Sequence, residues 1–97
     1  MKLSKSQLKH LKAMSHKLKP VVIVGNAGLT DSVLDEIDSS IEHHELIKVR
    51  LNAADRDERQ IMIEKIGKSA HAVLINSIGH VAVFYRPASK PIIKLPS

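Results

Sequence analysis

Apolar positions along this chain recur with a helical spacing in three stretches and a strand spacing in four, and the switches between them mark the elements. From Ser4 to Leu18, the residues Leu8, Leu11, Met14, Ser15 and Leu18 fall on one side of a helix, with Ser4 as its N-cap. Pro20 closes that helix, and Val21-Val22-Ile23-Val24 is a continuous β-branched run, the pattern of a strand buried on both faces. After Gly25-Asn26-Ala27-Gly28, Thr30 or Asp31 caps a second helix running to about His44, with Val33, Leu34, Ile37 and Ile41 inward and its acids outward. From Glu45 onward, Ile47, Val49 and Leu51 alternate with Lys48 and Arg50, which predicts a strand with one buried side and one basic, wet side. Asn52-Ala53-Ala54-Asp55 is a loop ending in a cap. A third helix is predicted over Arg56 to Ser69, with Ile61, Met62 and Ile66, and as a further candidate Ile63, facing the core. Ala72 to Ile78 and Val81 to Tyr85 then read as a hairpin around Gly79-His80.

The order is therefore αβαβαββ, an α/β chain of the α+β two-layer kind whose four-stranded mixed sheet is packed by helices. Strand, helix, strand predicts a right-handed parallel crossover, to which the hairpin adds antiparallel pairing. Ninety-seven residues suit one core, so residues 1–97 are expected to form a single domain. The stretch from Arg86 onward holds three of the four prolines, and Ile92, Ile93 and Leu95 predict that the tail, residues 87–97, docks loosely.

Composition narrows the classes of function. Hydrophobic residues make up 43% of the chain and charged residues 26%, values ordinary for a folded domain. Without cysteine there is no disulfide, no thiolate zinc site and no Cys nucleophile. The first residues are charged every few positions, with no apolar stretch of signal-peptide or membrane-helix length, so a cytoplasmic address, no membrane partner and a monomer are expected. The formal net charge is +5, but its placement is uneven: residues 1–30 hold six Lys and no acid, and residues 31–47 hold six acids and no Lys or Arg.

Two constellations carry candidate chemistry. Gly25, Asn26, Ala27 and Gly28 lie between a strand and a helix N-terminus, where free N–H groups and the helix dipole favour an anion. Glycines at such a turn also occur for steric reasons alone. Neither a Gly-Lys-Thr or Gly-Lys-Ser sequence nor Gly-x-Gly-x-x-Gly spacing follows, which argues against nucleotide hydrolysis. Lys5, Lys9, Lys12, His16 and Lys19 recur at steps of four, three, four and three, a stripe roughly a third of a turn from the apolar one. Such a stripe is either a solvated face or a track for successive phosphates, with Lys48 and Arg50 as a second rail. The aromatic residues are Phe84 and Tyr85, sent to opposite faces by alternation, so a platform of stacking rings is not expected and recognition would rest on backbone and shape. The six histidines show no ligand-pair spacing and the acid pairs Asp35 with Asp38 and Asp57 with Glu58 sit on outward helix faces; no metal, no cofactor and no catalytic residue is expected. The acidic outer face of the second helix leaves open a protein-interaction module as the rival class.

Leu18-Lys19-Pro20-Val21-Val22, Gly25-Asn26-Ala27-Gly28-Leu29-Thr30, His43-His44-Glu45-Leu46-Ile47-Lys48-Val49, Ile78-Gly79-His80 and Tyr85-Arg86-Pro87 together resemble the CRM domain in its bacterial stand-alone, YhbY-like form, over nearly the whole chain. The resemblance implies a fold similar to the C-terminal domain of the third bacterial initiation factor, with a Gly-x-x-Gly loop like that of KH domains. It further implies a non-enzymatic RNA-binding role: members are associated with large-subunit ribosomal precursors in bacteria and with group II intron splicing in plant organelles. The family loop falls on Gly25 to Gly28 and its basic surface, by residue type, on Lys5, Lys9, Lys12, Lys48 and Arg50; where the family often has a second Gly after the first, this chain has Asn26.

Overall fold

A computed structural model describes residues 2–97, and its elements follow the expected order: α1 (Lys5–Ser15), β1 (Pro20–Val24), α2 (Asp31–His44), β2 (Leu46–Leu51), α3 (Arg56–Ala70), β3 (Val73–Ile78) and β4 (Val81–Tyr85). Each helix starts where a side-chain oxygen accepts an otherwise orphaned N–H. Ser4 Oγ accepts from Gln7 N while the Gln7 side chain accepts from Ser4 N, a reciprocal capping box. Thr30 Oγ1 accepts from Val33 N and Asp55 Oδ1 from Glu58 N. The first helix stops at Ser15 rather than at Leu18, and Pro20 opens β1 rather than closing α1, because residues 16–19 form the passage from helix to sheet.

The sheet order is β1-β2-β4-β3, with β1 parallel to β2 and both other pairings antiparallel. One face, carrying Val22, Val24, Ile47, Val49, Leu51, Ala82 and Phe84, packs against Ile37 and Ile41 of α2 and Met62, Ile63 and Ile66 of α3. On the other face Leu46, Ile75, Val83 and Tyr85 pack against Leu11 of α1, with Leu8, Leu18, Ile93 and Leu95 around them. Two expectations are corrected here. β1 is buried on one face only: it is an edge strand, α1 rests over β2 and β3, and Ile23 is left 61% exposed. In α3 it is Ile63 that turns inward, whereas Ile61 is 66% exposed.

Glu45 departs from the acidic outer face to which its neighbours belong. It is fully buried at the C-cap of α2, with φ 65°. Its carboxylate accepts the N–H of Ala88 at 2.6 Å, of Ile92 at 2.8 Å and of Ile93 at 2.6 Å. Burial raises the carboxyl's pKa, but the three backbone donors outweigh that cost and hold it below its ordinary value. Arg86 completes the junction, pairing with Asp38 at 2.7 Å and Glu42 at 3.1 Å and donating to the Ala70 carbonyl at 2.7 Å. The tail is thus pinned to α2 through named bonds, with Gln7 Nε2 reaching the Pro96 carbonyl at 3.1 Å.

Candidate nucleic-acid interface

At the end of the sheet where the parallel strands β1 and β2 finish, three loops meet. Asn52 N donates to the Val24 carbonyl at 3.0 Å and Leu51 N to the His80 carbonyl at 2.7 Å, which ties the segment after β2 to the end of β1 and the end of β2 to the β3–β4 turn. The Gly25 to Gly28 loop leaves from the same end. Asn26 lines a shallow cavity there with Asn52, Ala53, Ala54, Glu58 and His80.

Within the loop the two glycines play different parts. Gly28 N donates to the Gly25 carbonyl at 3.0 Å, closing a four-residue turn, and Gly28 has φ 76°, which an L side chain adopts only at a cost. Gly25 has no positive φ, and a Cβ built there meets nothing within 4 Å. Its missing side chain therefore serves no contact inside the protein and leaves its backbone open to a ligand. The Gly28 N–H is spent on the turn and that of Thr30 on the Gly28 carbonyl. Among the described residues, the N–H groups of Asn26 and Ala27 have no partner, nor do those of Asp31 and Ser32 in the first turn of α2, so the turn and the helix end both offer donors to an anion. Asp31 in the first turn of α2 already complements that helix dipole.

The basic residues divide into two groups. Lys5, Lys9 and Lys12 are all exposed on α1, which lies over β2 and β3. Lys19, Lys48 and His16 line one cavity beside the end of α1, and Arg50, exposed, pairs in register with Ile23 of β1, two residues before the loop. Lys48 is not a free cation: its Nζ donates to the Leu18 carbonyl at 3.1 Å, so the basic side of β2 is half-buried at Lys48 and open at Arg50. The cavity at the loop holds no lysine, and Arg50 is the predicted cation that the strand register brings nearest to it. Asn52 and His80 belong to the loop's surroundings although no sequence motif marks them; the signal for them is the parallel pairing, which brings the ends of both strands together.

Phe84 and Tyr85 are buried on opposite faces, as alternation predicts, so neither of these two rings is available for stacking. Among the described residues, the ion pairs are those of Arg86 with Asp38 and Glu42, and no acid pairs with the lysines of α1. No helix among the described residues is long and apolar enough to cross a membrane.

Comparison with known proteins converges on one family. The model of the CRS1 / YhbY (CRM) domain matches residues 3–86. A Haemophilus influenzae protein named "RNA-binding protein" is 45% identical over 97% of this chain and 95% of its own length. A Pseudomonas aeruginosa protein named "Probable RNA-binding protein PA4753" is 42% identical over 94% of this chain and 88% of its own. The solution structure of SAV1595 from Staphylococcus aureus superposes with a TM-score of 0.84 at 27% identity, over 98% of this chain and 100% of that one.

Proposed function

The chain belongs to the CRS1 / YhbY (CRM) domain family, and from that premise we propose that it binds RNA by its phosphate backbone and serves, without catalysis, as an assembly factor on large-subunit ribosomal RNA or its precursor particle. The observation that carries the reading is the exposed row Lys5, Lys9 and Lys12, which no acid of the described residues neutralises. Such a row repels itself in the free protein and is relieved when phosphates replace its counterions. The open backbone at Gly25 and the unpartnered N–H groups of Asn26 and Ala27 add a neutral grip on a phosphate oxygen. With Phe84 and Tyr85 buried, affinity rests mainly on backbone and shape, so it depends steeply on salt and weakly on sequence. The protein acts in this reading as a cytoplasmic monomer.

The names of the Haemophilus and Pseudomonas relatives support RNA as the partner. The rival, a protein-docking role for the outer face of α2, is weakened because Asp38 and Glu42 already hold Arg86. Gel shift with bare large-subunit RNA fragments, beside co-sedimentation with precursor particles, separates the two. Binding to both supports the proposal, whereas binding to particles but not to any RNA transfers the role to a protein contact. Crosslinking in cells followed by sequencing of the crosslinked RNA then tests the ribosomal assignment.

A further inference from the structure

The part of the sheet that α1 leaves bare is not a plain polar surface. By register, Ile23, Arg50, Val81 and Ile78 form one row across all four strands, on the face that carries α1. Ile23 is 61% and Ile78 69% exposed. Isolated exposed apolar residues are normal in soluble proteins, but here two of them end a row that runs into a cavity of about 350 Å³ beside the end of α1. Its lining is aliphatic at Leu18, Val81, the buried Val83 and the exposed Ile78, and carries cations at Lys19 and Lys48, with His16 alongside. Among the described residues, no carboxylate lines it. The Asn76 side chain also faces it, with its Oδ1 accepting from Ser77 N at 3.0 Å, which fixes the amide and leaves Nδ2 to donate.

An apolar slot with one polar donor inside and cations outside matches a flat, largely apolar group carried on an anionic chain. We infer that this cavity takes a single unpaired nucleobase extruded from the bound RNA, with the flanking phosphates on Lys19, Lys48 and Arg50. The inference rests on the RNA-binding reading above and adds to it a second site, away from the Gly25 to Gly28 loop. Aliphatic side chains, with the His16 imidazole beside them, grip an extruded base by its faces, and the Asn76 amide donates to an acceptor on its edge. An acidic peptide would find the cations but has no part that needs both the slot and the donor.

The test compares an RNA hairpin carrying one bulged 4-thiouridine with the same hairpin fully paired. The full-length protein is expected to bind the bulged RNA about tenfold more tightly, the scale of one sequestered base, and to crosslink on irradiation within the peptides holding Leu18, Ile78 or Val81. Ile78→Ala, at an exposed position that the fold does not depend on, and the near-isosteric Val81→Thr are each expected to bring the ratio towards one while leaving the affinity for the paired hairpin unchanged. Equal binding of both hairpins by the parent protein, a preference that survives both substitutions, or a crosslink confined to the Gly25 to Gly28 loop overturns the base site and leaves the backbone reading standing. An excess of poly-glutamate, a polyanion, is expected to weaken both hairpins alike and leave their ratio unchanged; capture of that peptide at the cavity with no bulge preference assigns the slot to a protein partner instead. Failure to bind either hairpin overturns the RNA reading and the base site together.

Discussion

The ammonium of Lys48 donates to the carbonyl of Leu18 across 3.1 Å, tying the passage between α1 and β1 to the middle of β2. A residue that the strand pattern marks as a free phosphate contact is therefore also a structural tether. Lys48→Met keeps the aliphatic stem and removes the donor. The expected cost is about 1.5–3 kcal/mol, the range for a hydrogen bond involving a charged group. It is read as a lower urea midpoint with an unchanged slope. An unaltered midpoint would mean that the bond contributes nothing in solution.

For the lysines of α1, which carry no such tether, the effect falls on binding alone. Lys9→Ala with Lys12→Ala is expected to leave stability within about 0.5 kcal/mol, as for exposed positions generally. RNA affinity falls to a similar extent for unrelated sequences, and the slope of log affinity against log salt flattens by about 1.4 to 1.8 for two lost contacts. Fluorescence titrations at several salt concentrations measure both.

Glu45 links the tail to pH. Its pKa is held below the ordinary value of 4.5 by the N–H donors of Ala88, Ile92 and Ile93, so the unfolded or undocked state takes up the proton first. The carboxylate's contribution is accordingly complete above pH 4.5 and is lost as pH falls below it. Amide exchange at Ala88, Ile92 and Ile93 is expected to lose its protection in acid ahead of the sheet amides. Glu45→Gln, with one acceptor oxygen for three donors, should reproduce that loss at neutral pH, at a cost on the order of 3 kcal/mol.

The loop glycines separate geometry from ligand approach. Gly25→Ala puts a methyl into open space at an ordinary φ, so stability should hold while RNA affinity drops about tenfold if a phosphate rests on that backbone. Gly28→Asn and Gly28→Asp share the strain of the left-handed conformation at φ 76°, a cost of about 1 kcal/mol. The further loss of RNA affinity in the Asp variant over the Asn variant then reports charge alone, and equal affinities would remove the phosphate from the loop.

How much of this is visible in the sequence depends on how local its cause is. The caps at Ser4, Thr30 and Asp55 are legible because each side chain bonds an N–H three residues on. The wet side of β2 is legible because Lys48 and Arg50 break the apolar alternation. The bare side of β1 is not, since Val21 to Val24 reads the same whether or not a helix covers its second face; strand order and the placement of α1 decide that. The choice between Ile61 and Ile63 fails for a related reason: three successive apolar residues on a helix fit two inward arcs equally well. Glu45 carries no local sign of burial, because its partners are backbone groups of the tail. At the candidate site, the loop and the lysines are readable singly, but not that Asn52 and His80 join the loop or that the cations fall into two groups.

The central claim, that a phosphate backbone is held by the Gly25 to Gly28 turn and the basic face of α1, is tested most directly by following backbone amide resonances while a short structured RNA is added. The amides of Asn26 and Ala27, which have no partner in the protein, should shift in saturable fashion together with those of Lys5, Lys9 and Lys12, and both sets should return as salt is raised. Saturable binding in which these residues stay fixed and the shifts fall on the outer face of α2 would contradict the account.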